Sequence, residues 1–483
     1  METVYSVNLN CQNNYNILPR KSAKLNNSAP ASNSASNSLP HVSFGSSLRT
    51  ELSTNEEKGK YNELVKLVDK PVRKMLNEML KKGLLLNSNS SDRSTVLDNL
   101  HKIAMTPRAQ GLSNRNILYE TIETLSNPYI ITQQFGNIPE SYQKKAVDAY
   151  LKKGETNLLR QKLNSNFADR NLAAQEINVT HSGTCVAASE EFNLAVKQPA
   201  EFARFAEGLS SPNLSVEKTI KYSNLADNIL DAVWLLNVFE IPYEASDFES
   251  VKLKLAPDKN ALLRAQIQTV DRDLYNPDAP GKAEPHRAPF ERSSVDVLMQ
   301  STFMQAGSQQ TYDSLSDKRA GKFKQDDKGL IEFEKTFVES IAEDKNKISV
   351  TYQTLDENGK LLGYETDFAT IKKQITDALK MDENVIIGYT QVDQNNIVIN
   401  GHEITVVRTR TDRNGKTVFI CNDTDDDLAR PVEYSEDYLL PKIHHAALPK
   451  AIAEASVHIQ ENWIEGFRTY KELKAGQRLQ NAA

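Results

Sequence analysis

The chain has 483 residues, 39% of them hydrophobic and 25% charged, with a formal net charge of −6 and three cysteines. That length can hold two or three domains and bury at least one large core. The acidic balance excludes an electrostatic footprint for nucleic acid, three cysteines exclude a disulfide framework, and no apolar run is long enough to span a bilayer.

The opening stretch, METVYSVNLNCQNNYN, lacks a basic region followed by an apolar one, so no secretory signal is expected and the default location is cytoplasmic. Residues 21–55 are rich in Ser, Asn and Pro. They hold too little apolar surface to offset the entropy of ordering, and residues 1–55 are expected to form a disordered leader. From Tyr61 the pattern becomes helical, with Leu64, Leu67, Val68, Val72, Leu76 and Leu80 at helix spacing. Helical segments resume after NSNSSDRS and run to about Leu163, with Asp92 and Ser94 as expected caps and Pro107, Pro128 and Pro139 as punctuation. Residues 56–170 are therefore expected to make an all-helical domain or lid.

At Thr180–Phe192, THSGTCVAASEEF, a turn of small residues delivers Cys185 to the first turn of a short Ala-rich helix that Pro199 ends. A thiol reacts as thiolate, and a helix N-terminus favours that anion. The Cys185 backbone N–H also supplies half of an oxyanion hole. Amphipathic helices follow, among them YSNLADNILDAVWLLNVF and SVDVLMQSTFMQAG, separated by a loop rich in Pro and charge at 276–292. Strand signals concentrate late. ISVTYQTLDENGKLLGYETD and HEITVVRTRTDRNGKTVFICND are β-runs interrupted by Asn-Gly, a strong hairpin signal. Helices before antiparallel strands give an α+β fold.

In GHEITVV, His402 opens a β-branched strand just after Gly401; without the second histidine of H-E-x-x-H this is no zinc helix. The return strand TVFICND ends in Asn422 and Asp423, either of which can orient an imidazole. A two-residue Asn414–Gly415 loop sets Val406 opposite Asp423; a three-residue loop with Gly415 left-handed sets Val406 opposite Asn422. One residue of register decides between them, and the sequence leaves both open.

Cys, then His, then a strand-terminal Asn or Asp resembles the papain-like cysteine peptidase superfamily. G-T-C at 183–185, the G-H that opens a β-branched strand, and VFICN carry the resemblance, in outline over residues 171–445. It implies a papain-like catalytic domain over 171–483, with insertions, since Cys185 and His402 lie further apart than in the papain branch. It further implies a thiol-dependent hydrolase of peptide or isopeptide bonds, acting on a protein or peptide without cofactor or metal. Cys185 would be the nucleophile, His402 the general base, and Asn422, in preference to Asp423, the orienting group. Val179 stands where the family has its oxyanion glutamine, so Asn178, or more distantly Gln175, would donate instead. A transglutaminase-like acyl transferase using Cys185, His402 and Asp423 is one alternative, and a catalytically silent interaction protein is another. The helices before Cys185 could act as an inhibitory prodomain.

Other polar clusters carry less. NDTDDDLARPVE has Leu428 and Tyr434 where a calcium loop needs Gly and Glu. His181 reads as a loop residue. His444 and His445 are adjacent, so their side chains should diverge on a strand or helix, making a poor metal pair of surface or structural residues. Cys421 should face away from Asn422 into a core.

Overall fold

A computed structural model describes residues 49–133, 183–266, 292–314, 317–319, 329–330, 332–356, 358–424 and 429–455. The fold mixes helices and antiparallel sheets, an α+β architecture. The leader expected over residues 1–55 lies almost wholly outside the described residues, as does the boundary expected at 170.

Four helices come first: α1 (Asn55–Leu67), α2 (Lys70–Lys81), α3 (Val96–Met105) and α4 (Asn114–Ser126). Their starts follow capping chemistry. Thr54 and Thr95 each form a reciprocal capping box, with Glu57 and Asp98, and Asp69 caps α2 ahead of Pro71. Asp92 and Ser94, the expected caps of α3, bond to each other in the preceding turn, and Thr95 takes the cap instead.

After residues 134–182 come α5 (Cys185–Lys197) and α6 (Pro199–Leu209). Gln198 closes α5, and Pro199 occupies the first turn of α6, where its missing N–H is harmless. From Cys185 to Val196 every residue of α5 is buried, the signature of a helix enclosed on all sides.

Strands β1 (Val216–Lys221), β2 (Tyr243–Ala245) and β3 (Ser250–Leu255) form a small antiparallel sheet ordered β1-β3-β2, with α7 (Ile229–Val238) between β1 and β2. This sheet precedes the late region in which the strand signals concentrate. VEKTIK alternates buried and exposed residues in strict period two, and SVKLKL buries its alternate Val251, Leu253 and Leu255. Helix α8 (Ser294–Gly307) is buried along its whole length, followed by the short pair β4 (Tyr312–Asp313) and β5 (Lys318–Arg319) and by α9 (Glu332–Glu343).

The remaining strands are β6 (Lys347–Thr351), β7 (Gln353–Leu355), β8 (Leu361–Tyr364), β9 (Val385–Val392), β10 (Val398–Thr411), β11 (Thr417–Asn422), β12 (Val432–Ser435) and β13 (Ile443–Pro449), with α10 (Phe368–Lys380) ahead of β9. Six of them build one antiparallel sheet in the order β12-β11-β10-β9-β13-β6, and β7 and β8 form a separate hairpin. One face of the large sheet, through Val385, Ile387, Ile404, Val406 and Phe419, packs on Ile371, Ile375 and Ala378 of α10. The second core joins side chains of α1 to α6, α8 and α9 in one cluster that includes Val407 of β10. No helix among the described residues is long and apolar enough to cross a membrane.

Candidate active site

Three segments meet around the end of β11. The hairpin from β10 to β11 turns as a three-residue loop, with Asp412 N–H donating to Lys416 O, Thr411 opposite Thr417, and Gly415 at φ +79°. Only glycine takes that left-handed conformation without strain. A bulge between Val406 and Arg408 then moves the ladder by one residue, so Val406 faces Cys421 and Thr405 faces Asn422. Both registers open to the sequence are therefore replaced near the site. Opposed residues share a face, and alternation puts Thr405 and Asn422 on the face away from His402.

Asp423, the next residue, reaches the imidazole instead. His402 Nε2 lies 2.8 Å from Asp423 Oδ1, with both side chains over nine-tenths buried. The Tyr434 hydroxyl donates to the other carboxylate oxygen, Oδ2, at 2.7 Å. The expectation that Asn422 orients His402 is corrected on this geometry: the buried Asn422 Nδ2 has no hydrogen-bond partner among the described residues. Tyr389, opposite His402 on β9, places its ring edge-on to the imidazole at 5.7 Å. Burial, then the Asp423 charge, drive the Tyr434 phenol far above its usual range, so it stays a donor. The same two causes raise the Cys421 thiol, which stays protonated within the sheet core.

Cys185 is buried and is the first residue of α5, which packs on β10 and β9. Thr184 precedes it as N-cap residue but makes no side-chain cap. Its hydroxyl donates instead to Gln300 Oε1 of α8 at 2.9 Å. Gln300 Nε2 donates to Thr132 O at 3.0 Å and to Glu191 Oε2 at 2.9 Å. Thr132 Oγ1 in turn donates to Thr424 O at 3.0 Å, and the Gln133 N–H donates to the same oxygen at 3.3 Å. A buried polar chain thus links the residue before Cys185 to the residue after Asp423. Sequence reading finds no signal for Gln300, Thr132, Thr424 or Tyr434, because each acts through contacts distant in sequence.

Asn178, Gln175 and His181 lie outside the described residues. His444 and His445 are both buried, and their side chains converge. The pairing of β13 with β9 slips between Ile443 and His445, and that bulge turns consecutive side chains to one side, correcting the expected divergence. Comparison with known proteins finds no matching family model, no matching curated protein and no matching solved structure.

Proposed function

We propose that the chain is a papain-like thiol hydrolase cleaving peptide or isopeptide bonds through Cys185, His402 and Asp423. The observation that carries this reading is the buried chain Thr184–Gln300–Thr132–Thr424, which ties the segment presenting the sulfur to the segment holding the imidazole's carboxylate. Beyond the Thr405–Asn422 rung β10 has no partner in β11, so His402 stands at the rim of the sheet on that side. The Cys185 helix packs on β10 and β9, and the proposal requires the sulfur to meet His402 around that rim.

In this reading Asp423 accepts the His402 Nε2 hydrogen, which leaves proton exchange with the thiol to Nδ1. Nδ1 takes the Cys185 proton as the sulfur attacks the carbonyl carbon, and the imidazolium is stabilised by the carboxylate. The Cys185 N–H, at the start of α5, supports the oxyanion. His402 returns its proton to the leaving amine, the C–N bond breaks, and water then resolves the thioester. The Asp423 contact also suits a transglutaminase-like acyl transferase, in which an amine replaces that water.

Replacing Cys185 with Ala tests the proposal. Both iodoacetamide labelling at that position and hydrolysis of a peptide mixture should be lost, and unchanged hydrolysis would overturn it. Release of new N-termini marks the hydrolase, and incorporation of a labelled amine marks the transferase.

A further inference from the structure

A second cluster of chemistry lies where β13, α9 and β10 meet. His444 Nδ1 and His445 Nδ1 lie 2.9 Å apart, and Glu332 Oε1 lies 3.4 Å from the first and 3.8 Å from the second. Metal–nitrogen bonds of about 2.0 Å in a tetrahedron set neighbouring ligand atoms roughly 3.3 Å apart. The three separations bracket that edge. Both imidazoles are almost fully buried, while the Glu332 side chain keeps 18% exposure and so marks the entrance.

The supporting contacts are those a metal-bound imidazole needs. His445 Nε2 lies 2.8 Å from Glu403 Oε1, and Lys335 Nζ donates to Glu403 Oε2 at 3.2 Å. With the Lys335 ammonium on its other oxygen, the Glu403 carboxylate is placed to accept a hydrogen from His445 Nε2, which turns the Nδ1 lone pair of a neutral His445 toward Glu332 and His444. Thr351 Oγ1 donates to Glu332 Oε2 at 2.5 Å, fixing the carboxylate whose other oxygen faces the histidines. Gly388 leaves room for the pair: a Cβ there would fall 2.3 Å from His445 Cε1 and 2.8 Å from Glu403 Oε1.

We propose that Glu332 Oε1, His444 Nδ1 and His445 Nδ1 form a binding site for a divalent ion of the zinc class, with a fourth position for water. Two imidazoles and one carboxylate select a first-row ion such as zinc or cobalt over calcium or magnesium, which prefer all-oxygen shells. With the ion absent, His444 donates its Nδ1 hydrogen to His445. On binding, that hydrogen moves to His444 Nε2 by tautomer exchange, and both Nδ1 lone pairs turn to the metal. The ion would clamp the start of α9 to β13, and it is independent of the thiol chemistry.

The test uses the full chain stripped with a chelator and titrated with cobalt(II), then with zinc against a chromophoric competitor. One equivalent of cobalt should bind with the visible absorption of a tetrahedral site, and zinc should displace it. Glu403→Gln should weaken zinc binding about 10–100-fold while leaving one site, and His444→Gln should weaken it further and remove the tetrahedral spectrum. An unchanged spectrum and affinity in a folded His444→Gln protein would overturn the proposal. Should that variant fail to fold, the natural chain still decides: no one-equivalent uptake of cobalt overturns it.

Discussion

At residue 423 a carboxylate meets two donors from different strands, an imidazole and a phenol, and this fixes both its oxygens. Replacing Asp423 with Asn keeps the shape but places an amide where an acceptor is needed, so the imidazole loses its tautomer control. On the proposed mechanism Asp423→Asn should lower kcat by about 10²–10⁴-fold, whereas Asn422→Ala, on the other face, should leave kcat within a few-fold. The reverse order in steady-state rates would return the orienting role to Asn422. A second residue-scale prediction concerns Glu339 of α9, buried beside Glu343 and Glu190. Burial first, with Glu343 and Glu403 adding to it, pushes its carboxyl up to about 8 against Lys347 and Lys335. The native state then holds a proton that the unfolded chain releases near pH 4.3, so stability falls as pH rises from there to about 8. Glu339→Gln mimics the neutral acid. It should flatten that slope and stabilise the protein at pH 8 by on the order of 1 kcal/mol or more, read from urea midpoints at pH 5 and pH 8; an unaltered slope would count against a neutral Glu339.

Elements determine which of these residues could be found in the sequence. The helix at Cys185, the strand through His402 and the Asn-Gly hairpin announce themselves through small-residue turns, β-branched runs and turn chemistry, but β10 begins at Val398 and includes Gly401, so His402 does not open the strand as the sequence suggests. The bulges at Val407 and His444 do not announce themselves, because each is a one-residue slip in strand pairing that no local residue pattern marks. Each reassigns a site: the first puts Asp423 rather than Asn422 on the imidazole's face, and the second gathers His444 and His445. The small sheet β1-β3-β2 is legible in the alternation of VEKTIK and SVKLKL, but the amphipathic pattern of YSNLADNILDAVWLLNVF between them draws the region toward a helical reading. Gly388 is a sharper case. Nothing in VIIGYTQV marks it as obligatory, yet three strands approach there so closely that a methyl group strikes His445 and Glu403. Gly388→Ala should destabilise the fold by about 1–3 kcal/mol through overpacking, measured by chemical denaturation, and should weaken zinc uptake in the same protein. A neutral effect on both would mean that β13 can move aside.

For the molecule as a whole, the relation of α1–α4 to the rest decides whether the chain carries a detachable lid. Their side chains share one apolar cluster with α5, α6, α8 and α9. Polar contacts stitch the same boundary: the Ser91 N–H donates to Glu201 Oε2 at 3.0 Å, Arg108 Nη1 to Glu207 O at 2.6 Å, the Ala109 N–H to Ser210 O at 2.8 Å, and the Val295 N–H to Glu120 Oε2 at 3.1 Å. Thr132 adds the link to Thr424 beside the candidate site. Removing residues 1–133 would strip leucines and isoleucines from that cluster at about 1.5–3 kcal/mol for each side chain left exposed, far beyond the stability of a domain. A chain of residues 134–483 should therefore fail to show a cooperative melting transition or near-ultraviolet dichroism, while the full chain melts in one step. Supplying residues 1–133 in trans should restore at least part of both signals. A truncated protein that keeps native dichroism and gains peptidase rate would make the four helices an inhibitory prodomain, held on by contacts weaker than this shared core implies.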